Sequence, residues 1–501
     1  MFSDVDKEIE YVRSVVSARF PVYDTRVTPQ AVQFLVSVDP ATMEARFEDL
    51  RMELVPKNYI PMLTREGGEH AILVQRRPQQ RFVGTRVNLL LLILTVATTT
   101  WAGAINWAGY ENIDWLSLEA FAKGSLFFTL PLMAILGIHE MGHYVMAKRY
   151  KVHASLPFFI PAPGTFLGTF GAMISMRDPM PNRKALVDIG AAGPLLGLIT
   201  AIPVTLLGMA LMSVDPRPAP PNIGGQIVVS TPFLYQVLAL FVPLDPNALL
   251  HPTAFAGWVG LFVTALNLLP AGQLDGGHVA RAVLGDNGKY LSWAAIVLML
   301  VLGVVGYPGW FIIAVFILLM GARHPPPLND LTKLDGKRQA LALGAVLVFA
   351  LSFVAIPISV IEPVAGVQFE DVANPGNATW ELNTTVGANA TTSFTFLVNN
   401  TGNVETNVTL LLDPLNIGNA NLTVSFEEIR VGNQTFPAIG AGGYVVLNSS
   451  EVAEVKVFIN ASDYSGTVGQ NWTFEVRAHI DATGLPAYDL PRPLRVTVRV
   501  A

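Results

Sequence analysis

Long apolar runs alternate with short polar connections between Val87 and Ile361, and mixed patterning lies on either side. The run from Val87 to Ala108 is nearly uncharged and about as long as the roughly 20 residues a helix needs to cross a bilayer. Six further runs follow: about Ser125 to Met146, Leu186 to Met212, Phe255 to Leu274, Leu291 to Val305, Trp310 to Met320 and Leu341 to Ile361. The fifth and sixth are short and are split by Gly306-Tyr307-Pro308-Gly309. Residues 1–82 pattern differently. Glu8 to Phe20 reads as an amphipathic helix, Val32 to Val36 as a strand, Met43 to Leu54 as a helix with Met43, Phe47, Leu50 and Leu54 on one face, and Ala71 to Val74 as a strand. Beyond Glu362 the chain alternates with period two in Phe394–Val398, Val408–Leu412, Val455–Ile459, Trp472–Val476 and Leu494–Val498, separated by turn-rich stretches. The expected fold is a multi-pass α-helical membrane protein with about seven spans in residues 83–362. A small N-terminal α+β domain occupies residues 1–82, and a C-terminal Ig-like β-sandwich residues 363–501.

Composition agrees with lipid exposure. Hydrophobic residues make up 51% of the 501 residues and charged residues only 14%, against about a quarter charged in an ordinary soluble domain. A net charge of −6 gives no footprint for a nucleic-acid partner. Cysteine is absent, so any metal must be held by His, Asp or Glu. The N-terminus, Met1-Phe2-Ser3-Asp4-Val5-Asp6-Lys7, has no visible cleavable signal peptide. Arg76, Arg77, Arg81 and Arg86 precede the first span, which predicts a cytoplasmic N-terminal domain. Seven crossings then place the C-terminus outside. Ten Asn-x-Ser/Thr sequons begin at Asn377, Asn383, Asn389, Asn399, Asn407, Asn421, Asn433, Asn448, Asn460 and Asn471, and none lies before them. That skew, resting on different residues, agrees with an extracellular tail.

Chemistry enters at His139-Glu140-Met141-Gly142-His143, inside the second apolar run. Two histidines one turn apart share a helix face, with a carboxylate beside them, which is how a protein holds Zn²⁺ and sets a general base next to it. Ionisable groups at such depth are costly and mark function. A catalytic zinc usually takes three protein ligands and keeps one position open. Asp275 is the leading third ligand. It ends an apolar run toward the cytoplasmic side, at the depth expected for His139 and His143, and Gly276 and Gly277 after it permit a tight turn or close backbone approach.

His-Glu-x-x-His in one span and Asn267-Leu268-Leu269-Pro270 followed by Leu274-Asp275-Gly276 in a later one resemble the site-2 protease (M50) family of intramembrane metalloproteases. Leu156–Pro161, Leu167–Ala172 and Asp188–Pro194 are similar to its archaeal and plastid EGY-like branch. The resemblance covers roughly Val87 to Gly285. It implies one Zn²⁺ per chain on His139, His143 and Asp275, with Glu140 as the base that activates water and then donates the proton. It also implies a membrane-dipping hairpin containing Phe170 and Gly171, whose edge strand takes an extended substrate, and an Asn267 that contacts substrate backbone. A transmembrane helix hides its carbonyls in internal hydrogen bonds, so the substrate must unwind before attack. The expected activity is cleavage of membrane-protein substrates in or near their transmembrane segments. The loop over residues 213–253 is too short for the PDZ domain of bacterial relatives. Asn399-Asn400-Thr401-Gly402-Asn403 resembles a turn of the CARDB type of extracellular Ig-like domain.

Two other functions compete. A catalytically silent scaffold or surface adhesin would act through the β domain, but all four residues of the motif pair are intact. A metal transporter would need polar residues along several spans, and these are mostly bare. Among the remaining candidates, His278 reads as a turn residue or a neighbour of the ligands, His153 as interfacial, Asp178 and Asp188 as loop or interfacial polar groups, and His70, His251, His324 and His479 as surface residues.

Overall fold

In a computed structural model the chain is described at residues 4–28, 31–77, 84–217, 227–245, 248–414, 421–436 and 438–501. Arg81 of the basic cluster lies outside the described residues. Two compact units are present, one falling within Met1–Ala219 and Ser230–Pro357, the other within Pro220–Val229 and Ile358–Ala501.

The first unit begins with α1 (Asp4–Ser17), β1 (Val22–Val27), β2 (Ala31–Val36), α2 (Met43–Leu54), β3 (Tyr59–Glu66) and β4 (Glu69–Arg76). The strands form an antiparallel sheet in the order β1-β2-β4-β3. Its core gathers Val12, Val16, Phe20, Phe34, Phe47, Leu50, Leu54, Leu63 and Ile72. Sequence patterning finds α2 at its observed bounds but misses β1 and β3. The former is an edge strand with four of six residues exposed, and the latter mixes Pro61 with charged residues, so neither carries a clean period of two.

Helices dominate from there: α3 (Thr85–Glu111), α4 (Leu118–Gly124) running through a π-turn at Ser125–Thr129 into α5 (Leu130–Arg149), then a hairpin of β5 (Phe158–Pro161) and β6 (Thr169–Met173), then α6 (Arg183–Val214). After β7 (Ile227–Val229) come α7 (Phe233–Ala239), α8 (Pro252–Asn267), α9 (Asp275–Leu284), α10 (Gly288–Val305), α11 (Gly309–Met320) and α12 (Gly336–Ser352). Four helical stretches among the described residues are long and apolar enough to cross a membrane: Thr85–Glu111, Leu118–Arg149, Arg183–Val214 and Asp275–Val305. Two expected spans are cut short. The fourth stops at Asn267, because Pro270 has no N–H to continue the ladder and Gly272 sits at φ +54. The seventh stops at Ser352, ahead of Pro357, and Ile358–Val360 pairs as a strand instead.

Helix packing relies on small residues, as expected where lipid removes the hydrophobic drive between helices. A Cβ on Gly103 would meet Gly124 O at 2.6 Å, and one on Gly142 would meet Ala192 O at 2.7 Å. The sheet of β1–β4 and its helices are fastened to the ends of α5 and α6. Arg51 donates to Tyr150 O at 3.1 Å, Lys184 pairs with Glu44 at 2.6 Å, and Leu63 N–H donates to Leu328 O at 2.7 Å.

The second unit pairs β7 with β8 (Ile358–Val360) and continues through β9 (Val367–Asp371), β10 (Glu381–Val386), β11 (Thr391–Asn400), β12 (Thr406–Pro414), β13 (Thr423–Val431), β14 (Gln434–Phe436), β15 (Ala438–Ile439), β16 (Gly442–Leu447), β17 (Val452–Asn460), β18 (Asn471–Ala482), β19 (Tyr488–Asp489) and β20 (Leu494–Val500). One sheet runs β10-β20-β18-β12-β16-β15 with β19 beside β18, the other β14-β13-β17-β11-β9. Alternate residues of both, among them Phe369, Phe396, Val408, Val455, Phe474 and Val496, fill a single core.

Candidate metal centre

Three helices meet at the HExxH segment. α5 carries His139, Glu140 and His143, all about 95% buried. α6 crosses α5 closely, and α9 begins at Asp275. The first turn of α9 seats directly on the connection from α8: a Cβ on Gly276 would lie 2.1 Å from Leu268 O, and one on Gly277 2.3 Å from Gly272 O. Only glycine permits that approach, and it brings the Asp275 carboxylate level with the imidazoles.

The three donor atoms form a near-equilateral triangle. His143 Nε2 is 3.2 Å from His139 Nε2 and 3.2 Å from Asp275 Oδ2, and His139 Nε2 is 3.3 Å from Asp275 Oδ2. Ligands at about 2.0–2.1 Å from a tetrahedral Zn²⁺ stand about 3.3–3.4 Å apart, so the triangle has the size of one face of such a site. His143 Nδ1 lies 2.7 Å from Ile189 O. A carbonyl only accepts, so Nδ1 holds the proton and Nε2 keeps its lone pair for the triangle. The donor set, two imidazoles and one carboxylate, suits zinc. The residues present therefore fit the metal.

Glu140 stands beside the triangle, its Oε1 3.9 Å from His139 Nε2. α5 also packs against β6, which sets the hairpin beside the centre. Asn267 Nδ2 is 3.3 Å from His139 Nε2, at the last residue of α8. Within β6, Phe170 is 75% exposed and Gly171 has φ +101. β5 covers one edge of β6, and among the described residues no strand pairs with the other.

The sequence reading passed over the glycines of α6. Gly190, Gly193 and Gly197 occupy one helix face at i, i+3 and i+7. A Cβ would lie 2.8 Å from His278 Cβ at the first, 2.0 Å from His143 Nε2 at the second and 3.0 Å from His139 Nδ1 at the third. Their spacing was the available signal. His278 lies in α9, its Nδ1 2.5 Å from His324 Nε2. His251 is not a surface residue: it is 4% exposed, caps α8 by accepting from Thr253 N–H, and packs edge-on against Trp107, Tyr110 and Phe127. His324 is half-buried for the same kind of reason, an aromatic neighbour covering its ring. Asp178 is buried. Burial alone would raise its carboxyl, but the backbone N–H and ring of His153 and the Arg77 guanidinium at 2.7 Å hold it below the usual range. Asp188 accepts from Arg338 at 2.7 Å and from Tyr150 at 2.5 Å, joining α12 to α6.

Residues 127–306, which contain both motifs, match the family model of peptidase family M50. The probable zinc metalloprotease EGY1, chloroplastic, of Arabidopsis thaliana is 30% identical over 259 residues, covering 49% of this chain and 46% of that one. A rice protein of the same description (Oryza sativa subsp. japonica) is 32% identical over 257 residues, covering 48% and 43%. The chain thus spans less than half the length of these curated relatives. Among solved structures, PapD-like domain 7 of human CEP192 covers 28% of this chain and 94% of its own at 11% identity, with a TM-score of 0.17.

Proposed function

We propose, from the premise that residues 127–306 make this chain a member of peptidase family M50, that it is an intramembrane zinc endopeptidase. The observation that carries the reading is the triangle of His139, His143 and Asp275 at 3.2–3.3 Å with a buried Glu140 beside it. Zn²⁺ bound there would lower the pKa of a water toward about 7 and polarise a carbonyl. Glu140 would accept the proton from that water and return it to the leaving amine. Asn267, beside His139, would donate from Nδ2 to substrate backbone. The free edge of β6, with Phe170 and Gly171, would pair with a locally unwound substrate and replace the hydrogen bonds lost from its helix.

The substrates we infer are membrane proteins cut in or near a transmembrane segment, close to the cytoplasmic face. All seven apolar stretches serve as crossings in this reading. Support comes from the basic residues Lys148, Arg149, Arg183, Lys184, Lys333, Lys337 and Arg338, which cluster at the helix ends that adjoin the N-terminal domain. Residues 1–82 would be cytosolic, residues 83–362 the protease, and residues 363–501 an extracellular Ig-like sandwich.

The test is cleavage of a single-span model substrate by the purified full chain and its Glu140→Gln variant, with zinc measured in both. The variant is expected to keep its zinc and lose at least about 100-fold in rate, the low end for a lost general base. Equal cleavage by both, or zinc-loaded protein with no activity in either, would sink the reading and favour a silent membrane scaffold.

A further inference from the structure

We propose that the C-terminal unit is an N-glycosylated surface domain, and that Asn383, Asn389, Asn421, Asn433 and Asn471 carry the glycans while Asn399 stays bare. The inference rests on the outward placement of this unit given above.

Number and position both argue against accident. Fifteen asparagines follow residue 362 and ten begin a sequon; with 21 Ser and Thr among those 139 residues, chance would supply about two. The ten asparagines before that point begin none. Accessibility then sorts the ten. None is buried, whereas Asn400, which begins no sequon, is fully buried and holds a turn by setting its Nδ2 among the carbonyls of Val404, Leu447 and Asn448. A glycan needs a free Nδ2 facing solvent.

Five sequon asparagines meet that condition. Asn383, Asn389, Asn421, Asn433 and Asn471 are exposed, and among the described residues their side chains make no hydrogen bond. Asn389 and Asn421 sit at exposed turn positions with φ 60 and φ 51, outside the strands. Asn383 lies on β10, the end strand of the larger sheet. A bulky polar chain there would also shield an edge that invites pairing with another sheet.

The other five are half-buried or donate from Nδ2, and so fall short of that condition. Asn399 is half-buried on β11, with Nδ2 donating to Glu370 Oε1 at 2.7 Å. Asn377 Nδ2 donates to Asn374 and Asn448 Nδ2 to Glu451, while the Asn407 and Asn460 carbonyls accept from Tyr444 and Ser462.

The transfer needs a lipid-phosphate-linked oligosaccharide and the transferase that uses it. The asparagine Nδ2 forms a bond to the anomeric carbon of the first sugar. The bond from that carbon to the phosphate oxygen breaks, the amide gives up one proton, and the lipid phosphate leaves.

The experiment is glycopeptide mass spectrometry on the full-length protein from its native membrane, with a variant carrying Asn→Gln at all five positions. Sugar mass is expected on the five peptides and not on that of Asn399, and the variant should lose most of the added mass. Protease treatment of intact cells separates the two readings. A tail trimmed from outside yet bare at the five positions would overturn the glycan proposal alone. A tail shielded inside the cell would overturn it together with the topology. Glycan on Asn399 with none on Asn383 would overturn the accessibility argument.

Discussion

Replacing Gly193 by alanine removes no ligand and adds one methyl group, yet it is expected to empty the metal centre. The new Cβ would stand 2.0 Å from His143 Nε2, 2.4 Å from Cδ2 and 2.6 Å from Cε1. Relaxed contact needs about 3.5 Å, so the ring would have to retreat by about 1.5 Å. Metal–ligand distances tolerate about 0.2 Å. His143 has nowhere to go: its ring is buried and its Nδ1 is bound to Ile189 O. Separation of α6 from α5 is resisted at a second point, where Gly142 meets Ala192 O. Losing an outer partner of a ligand costs roughly 10–100-fold in metal affinity. Displacing the ligand itself should exceed the upper figure, more than about 2.7 kcal/mol. The assay is zinc stoichiometry and affinity by mass spectrometry after equilibration against buffered zinc, beside two references. His143→Ala should match Gly193→Ala. Gly344→Ala in α12, whose Cβ would meet nothing within 4 Å, should bind as wild type. A Gly193→Ala protein holding one zinc per chain with near wild-type affinity would refute the idea that this glycine makes room for the imidazole.

Three further substitutions probe other parts of the chain. Asp178→Asn is expected to cost roughly 3 kcal/mol at pH 7, the low end for breaking a buried pair because the Arg77 side chain is 18% exposed. Since the native carboxyl lies below its ordinary value, this contribution is present above about pH 4 and fades as pH falls through the native pKa; melting curves of the two proteins should converge only in that acid range, and convergence near pH 7 would contradict the pairing. Gly171→Ala forces a side chain into φ +101 at roughly 1–3 kcal/mol, so it should raise KM for a membrane substrate while zinc content holds; an unchanged KM would remove β6 from substrate binding. Asn400→Ala leaves the carbonyls of Val404, Leu447 and Asn448 without their donor and should destabilise the β unit by about 1–3 kcal/mol, read as a lower melting midpoint of that transition with zinc unaffected.

The parts of this molecule that could be read from sequence are those that carry a distinctive side chain. His139, Glu140, His143 and Asp275 are chemically loud in an apolar run, and the structure brings the three proposed ligands to within 3.3 Å of one another. Asn399–Asn403 drew notice as a turn, and Asn400 proves to be its buried peg. The run around Phe255 was legible as a helix, but its end was not. The apolar residues continue to Leu274 while Pro270 and Gly272 have already broken the backbone. β1 and β3 were missed because pairing in the sheet overrides their weak patterning, and His251 because a polar residue packed among aromatic rings looks in sequence like any exposed histidine.

What stays silent in a sequence is the side chain that is not there. Gly190, Gly193 and Gly197 contribute no donor and no charge, and in an apolar helix a glycine reads as ordinary small-residue packing. Their role appears only when the opposite helix is in place and the space each leaves is seen to be filled by His278, His143 and His139. The proposed centre is thus built from two kinds of information. Ligand chemistry can be recognised from α5 and α9 alone, whereas the room for it is specified by α6, which supplies no ligand. It follows that changes on the glycine face of α6 should disturb zinc binding as severely as changes to the ligands. Changes on its opposite face, where Ile199 is exposed, should leave binding intact.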